Sequence, residues 1–112
     1  MDATKLSLTF AALSNEVRLR ILDLVSARKQ MCVCELVDEL RMSQANISWH
    51  VGILRNAGLL HARKIGTWVF LSVDEQPIES AARQVCDMVR ANHRGSAHED
   101  PQARLAQRCV AA

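Results

Sequence analysis

No stretch of these 112 residues stays apolar for the roughly 18 positions that a bilayer-spanning helix needs. The opening MDATKLSLTF has neither the basic start nor the long apolar core of a secretory signal. The expectation is therefore a cytoplasmic chain with no membrane partner. There is no glycine-rich phosphate loop, no serine–histidine–aspartate arrangement and no obvious pair of catalytic carboxylates, so an enzyme is not expected. The most informative absence is local. No Asp or Glu lies between Arg41 and Val73, whereas Arg41, Arg55, Arg63 and Lys64 do. That segment carries four positive charges and the remainder a net negative balance, since the whole chain sums to +2. A small total charge argues against a general nucleic-acid coat and for one localised face that suits a polyanion.

What is present fits one small domain. The apolar fraction of 49% is ample for a core, and 23% charged residues is ordinary for a globular chain. A domain of this size has much surface for its volume, which makes pairing with a second copy attractive.

The acid-free stretch has a clear internal order. Ser43 is a good N-cap, and Ile47, Val51 and Leu54 then recur at helical spacing. Gly58 supplies the left-handed residue at which such a helix ends. Leu60 to Ile65 and Thr67 to Val73 are β-rich and flank Gly66, which predicts a hairpin. Opposite the apolar stripe, the helix carries Ala45, Trp49, Gly52 and Asn56, with Asn46 and Ser48 on the flanks. A solvated helix would carry Lys and Glu there. Small and hydrogen-bonding residues suit a helix lying in the DNA major groove. Gln44, Asn46 and Ser48 are the candidates for reading base edges, and Arg63 and Lys64 for phosphate contacts. Trp49 shares that face, and His50 sits at its edge as a packing or phosphate-contacting residue.

In chain order, Ala3, Leu6, Phe10 and Leu13 predict a first helix, and Val17, Ile21, Leu22, Leu24 and Val25 a second from about Asn15 to Ala27. Ser14 is the candidate cap of the second helix, with Arg18 and Arg20 off its apolar face. Val33, Leu36, Val37 and Leu40 predict a short third helix within Met31–Leu40, which with the Ser43 helix makes a helix-turn-helix. The hairpin adds a wing. Pro77 opens a last helix whose stripe is Ile78, Ala81, Ala82, Val85 and Val89. The expected fold is mainly α: a winged helix-turn-helix of about five helices with a two-stranded wing. Residues 1–94 form the domain, and residues 95–112 are read as a flexible tail. Leu6, Phe10 and Leu13 on the first helix, with Ile78, Val85 and Val89 on the last, are the candidate dimer face.

Four cysteines in a cytosolic chain point to reduced, metal-binding or redox-active thiols rather than structural disulfides. Residues two apart do not face each other on a helix, so Cys32 and Cys34 could grip one ion only if the first turn of the third helix unwound or never formed. Thiolates select soft ions, including trivalent arsenic and antimony, cadmium, lead and zinc. Cys86 reads as a buried interface residue. Cys109, near the chain end, is a possible third sulfur ligand. Asp87, His93, His98 and Glu99 read as a solvated helix end.

Two motifs resemble the ArsR/SmtB family of metal-responsive winged-helix repressors. Cys32-Val-Cys34-Glu-Leu36 is similar to the cysteine box of its arsenite-responsive branch. Ser43-Gln-Ala-Asn-Ile-Ser48-Trp-His50-Val-Gly-Ile-Leu54-Arg-Asn-Ala-Gly58-Leu is similar to its recognition helix, and Leu13-Ser-Asn-Glu-Val-Arg18-Leu-Arg-Ile21-Leu to its second-helix start. The resemblance covers about residues 5 to 90. It implies a homodimeric repressor of a metalloid resistance operon that binds two-fold symmetric operator DNA and leaves it when arsenite or antimonite binds Cys32 and Cys34. No resident cofactor is implied. Where relatives usually place a third cysteine, this chain has Val37; Trp49 stands where a polar or basic residue is common. A thiol redox or persulfide sensor on the same fold, or a cadmium-, lead- or zinc-responsive repressor, is the alternative.

Overall fold

A computed structural model describes residues 2–95 and 100–111, apart from the side chains at 94, 95 and 109–111. Its contacts divide the chain into two units, residues 1–82 and 83–112.

In the first unit, α1 (Ala3–Leu13) is capped by Asp2, whose carboxylate accepts the Thr4 and Lys5 N–H groups. Helix α2 (Glu16–Arg28) is capped by Asn15, not by Ser14: the Asn15 side chain accepts the Arg18 N–H at 3.2 Å, while Ser14 closes α1. Strand β1 (Met31–Cys32) follows, then α3 (Val33–Leu40) and α4 (Gln44–Asn56), with Ser43 capping α4 as expected. The tight link between α3 and α4 turns at Arg41, which adopts a left-handed conformation at φ 52°. Strands β2 (Leu60–Ile65) and β3 (Trp68–Val73) form the expected hairpin, turning at Gly66 with φ 62°. Helix α5 (Gln76–Gly95) starts where the Asp74 carboxylate accepts the Gln76 N–H, so Pro77 lies in its first turn.

The wing is not an isolated hairpin. The sheet order is β1-β3-β2, all antiparallel, with Met31 opposite Leu71 and Cys32 opposite Phe70. Met31 and Cys32 are thus a strand rather than the first turn of the third helix. Their pairing anchors the wing base to the segment that leads into α3.

The core gathers Ile21 and Val25 of α2, Met31, Leu36 of α3, Ile47 and Leu54 of α4, Leu59 and Leu71, all essentially inaccessible to water. Leu13 and Ile78 pack against it, and Leu6 is buried. Three residues of the expected dimer face therefore cover this chain's own core. Phe10 and Val89 remain exposed, together with Leu8, Leu19 and Met88, while Val85 is half-buried.

In the second unit, α6 (Pro101–Ala111) stands where the sequence suggested an irregular tail. The cause is local: the Asp100 carboxylate accepts the Gln102 N–H, and Pro101 fits the first helical position. His98 and Glu99 lie outside the described residues, as does the side chain of Cys109. No helix among the described residues is long and apolar enough to cross a membrane.

Candidate nucleic-acid interface and cysteine pair

Helix α4 divides its residues sharply. Ile47, Val51 and Leu54 face the core, and Ser43, Gln44, Ala45, Asn46, Ser48, Trp49, Arg55 and Asn56 are exposed. Trp49 is 62% accessible, which is unusual for so large an apolar ring and marks a face without a partner in this chain. On the hairpin, Arg63 and Lys64 are exposed on β2, and Ile65, Trp68 and Val69 are exposed around the turn. The predicted base-reading residues and the two wing cations thus all stand on open surface.

His50 does not join them. It is buried, and its Nδ1 lies 3.1 Å from an Arg18 guanidinium nitrogen. A guanidinium can only donate, so Nδ1 is the unprotonated acceptor and the imidazole is neutral. Burial holds the His50 pKa below the ordinary histidine range, and the Arg18 charge adds to that. His50 is therefore an internal anchor of α4 rather than a phosphate contact. Its ring also meets Trp49 edge-on, with 4.8 Å between centroids.

Arg18 is the second correction. The helical wheel placed it off the apolar face of α2, yet it is buried. Its Nε donates to the Ala12 carbonyl at 2.7 Å and a terminal nitrogen to the Ala11 carbonyl at 3.3 Å. These carbonyls belong to the last turn of α1 and form the negative end of its dipole; the Ala11 carbonyl also accepts the Ser14 N–H at 3.3 Å. A buried cation is tolerable only with such partners. Through Arg18, the C-terminus of α1 is tied to α4 from behind. Sequence reasoning missed this pair because nothing local to either residue announces the other.

The cysteine pair meets in the second of the two ways open to it, with a first helical turn that never includes Cys32. Cys32 is extended and precedes α3 as its N-cap; Cys34 lies in the first turn. Because the chain bends between strand and helix at that point, the two sulfurs meet, joined as a disulfide, with Cα atoms 5.4 Å apart. No unwinding of α3 is needed to bring them together. Cys32 is buried and Cys34 exposed. The Glu35 carboxylate accepts the Cys32 N–H at 3.1 Å, completing the helix start. Among the described residues there is no group of three or more His, Cys, Asp or Glu side chains that could hold a metal ion. Cys86, read as buried, is exposed.

His61 is exposed at the base of the wing and lies 2.9 Å from the Asp74 carboxylate. That hydrogen bond, with a second from the Gln76 N–H, holds the Asp74 pKa below the usual carboxylate range. Beside it, a cleft of about 470 Å³ opens between α4 and β2, lined by Gly52, Arg55, Asn56, Leu60, His61 and Ala62.

Comparison with known proteins converges on one family. The family model described as bacterial regulatory protein, arsR family, matches residues 15–62, which contain α2, β1, α3, α4 and the start of β2. An HTH-type transcriptional regulator of Methanocaldococcus jannaschii is 38% identical over 79 residues, covering 70% of this chain and 89% of that protein. The arsenical resistance operon repressor of Escherichia coli is 47% identical over 60 residues, which span 54% of this chain and only 51% of the repressor. Among solved structures, an ArsR-like transcriptional regulator from a Rhodococcus species superimposes with a TM-score of 0.74 at 26% identity, covering 97% of this chain and 93% of its own.

Proposed function

We propose that this chain, which belongs to the arsR family of bacterial regulatory proteins and is a winged-helix transcriptional regulator, represses a metalloid resistance operon and is released from its operator when arsenite or antimonite engages Cys32 and Cys34. One observation carries the reading: two sulfurs converge at the junction of β1 and α3, with Cys34 open to solvent. Once a thiol reductant has opened their disulfide to two thiolates, such a pair suits soft trivalent ions. The arsenical resistance repressor of Escherichia coli, similar over half its length, supports the choice of signal.

The junction also suggests how the signal would travel. Strand β1 is hydrogen-bonded to β3 of the wing, and α3 packs on α4. A change in the Cys32–Cys34 backbone would disturb both halves of the DNA-binding face. An inducer acts only if it favours the released form, and affinity for both forms alike shifts nothing. A coupling of about 1–3 kcal/mol would weaken operator binding roughly 5- to 150-fold. With Val37 at the position of a third sulfur, two protein thiolates plus a solvent or exogenous thiol, or Cys109, would complete the site. In this reading Gln44, Asn46 and Ser48 read bases, Ser43 and Trp49 flank them, and Arg63 and Lys64 hold phosphates. The acting species is a cytoplasmic homodimer whose first and last helices contribute Phe10, Val85 and Val89, while Leu6, Leu13 and Ile78 serve the protomer core.

A duplex selected by the protein from a random pool provides the test. Cys34→Ser should bind that duplex as the wild type does and ignore arsenite in excess reductant. Full arsenite response of the Cys32→Ser, Cys34→Ser double variant would overturn the assignment.

A second reading rests on the same sulfurs. Their meeting as a disulfide favours a thiol redox sensor: two thiols give up two electrons and two protons to a peroxide, which leaves as water and alcohol. Release of DNA by peroxide, reversed by reductant and unaffected by arsenite, would select this reading over the first.

A further inference from the structure

The cleft between α4 and β2 has no role in the fold. Gly52 lies in the middle of α4, with an ordinary helical backbone, and a Cβ built on it would meet nothing within 4 Å. No packing or turn inside the chain requires glycine there. Glycine inside a helix costs stability relative to almost any other residue. The missing side chain therefore weakens α4 and leaves open space above it. Next to that space stands Arg55, exposed and without an ion pair among the described residues. Asn56 adds an amide that can donate. Across the cleft His61 is already engaged by Asp74, so Arg55 is the uncompensated cation of this pocket.

When a recognition helix lies in the major groove and a wing reaches the adjacent minor groove, the sugar–phosphate strand dividing the two grooves must pass between helix and wing. The cleft is the gap between those two elements. We infer that the cleft lined by Gly52, Arg55 and Asn56 seats a phosphodiester of the DNA backbone, with Arg55 supplying the charge and Gly52 the room. This deepens the DNA-binding reading above and rests on it.

Phosphate contacts carry no sequence information, so a random-sequence duplex and the full chain suffice as probes. Arg55→Ala should lower affinity about tenfold, as expected for loss of a charge-assisted hydrogen bond. It should reduce the log–log salt slope by about one unit per protomer bound. Gly52→Leu should weaken binding by a similar factor by filling the seat, while its melting midpoint holds or rises. The double variant should lose no more than the larger single loss, because both remove the same contact. If both single variants bind with wild-type affinity and slope while Lys64→Ala still weakens binding, the DNA reading stands and this inference falls. If the wild type binds no duplex even at low salt, both fall. If inorganic phosphate saturates amide NMR shifts at Arg55 and Asn56 while both variants keep wild-type DNA affinity, the cleft serves a free anion, and the assignment to DNA is overturned.

Discussion

The two faces of α4 follow opposite rules. At the back, Ile47 and Leu54 are fully buried, and His50 accepts from a guanidinium that also binds two α1 carbonyls. At the front, Gln44, Ser48 and Trp49 touch solvent, and Gly52 leaves a void above the helix. Almost all the stabilisation of α4 comes from one side, where packed apolar area and satisfied polar groups are concentrated. The other side contributes little to folding and is free to be shaped for a ligand. Substitutions should therefore separate into those that unfold and those that only unbind.

The largest effect belongs to the back. Leu54→Ala should destabilise the chain by about 2–5 kcal/mol, and denaturant unfolding would measure it. DNA binding should then fail only in proportion to the unfolded fraction. Arg18→Ala should cost somewhat less, about 2–3 kcal/mol, because it strands the buried Ala12 carbonyl and the His50 acceptor. Retention of full stability in this variant would break the contrast between the faces. A smaller effect is a pH dependence. His50 is held neutral, so below the ordinary histidine range the unfolded chain takes up a proton that the folded chain refuses. Stability should thus fall as pH drops from about 7 towards the lowered value, and His50→Gln should flatten that part of the profile. The smallest stability change is expected at the front. Lys64→Ala should leave the melting midpoint unaltered and lower the DNA salt slope by about one unit. An unchanged slope would remove the wing from the interface.

The same contrast explains what could be read in advance. The α4 stripe, its Ser43 cap, the Gly58 stop and the Gly66 turn are local signals, and all appear where expected. Long-range pairings were not legible. Met31 finds Leu71 and Arg18 finds His50 across large separations, and no spacing rule connects them. As a result β1 reads as helix from the sequence, and the structure selects between the two routes by which Cys32 and Cys34 could meet: the first turn never forms at Cys32. Arg18 reads as solvent-facing from the sequence because charged residues rarely sit in a core, and the carbonyl ends of α1 that satisfy it become available only when the helices pack. Helix α6 is a different case. Its Asp100–Pro101 start is a local cap signal that the polar residues around it mask.

The exposed Trp49 and Trp68 have an optical consequence. They are the only tryptophans in a chain with no tyrosine. One stands on the front of α4 and the other at the wing turn, 62% and 57% accessible. Emission excited in the near ultraviolet therefore originates on the two surfaces assigned to DNA, and almost none of it comes from the core. Fluorescence of this protein should report a docking ligand more faithfully than it reports unfolding. Because the His50 ring lies edge-on to Trp49, the two emitters sit in different surroundings, and Trp49→Phe would isolate the wing signal.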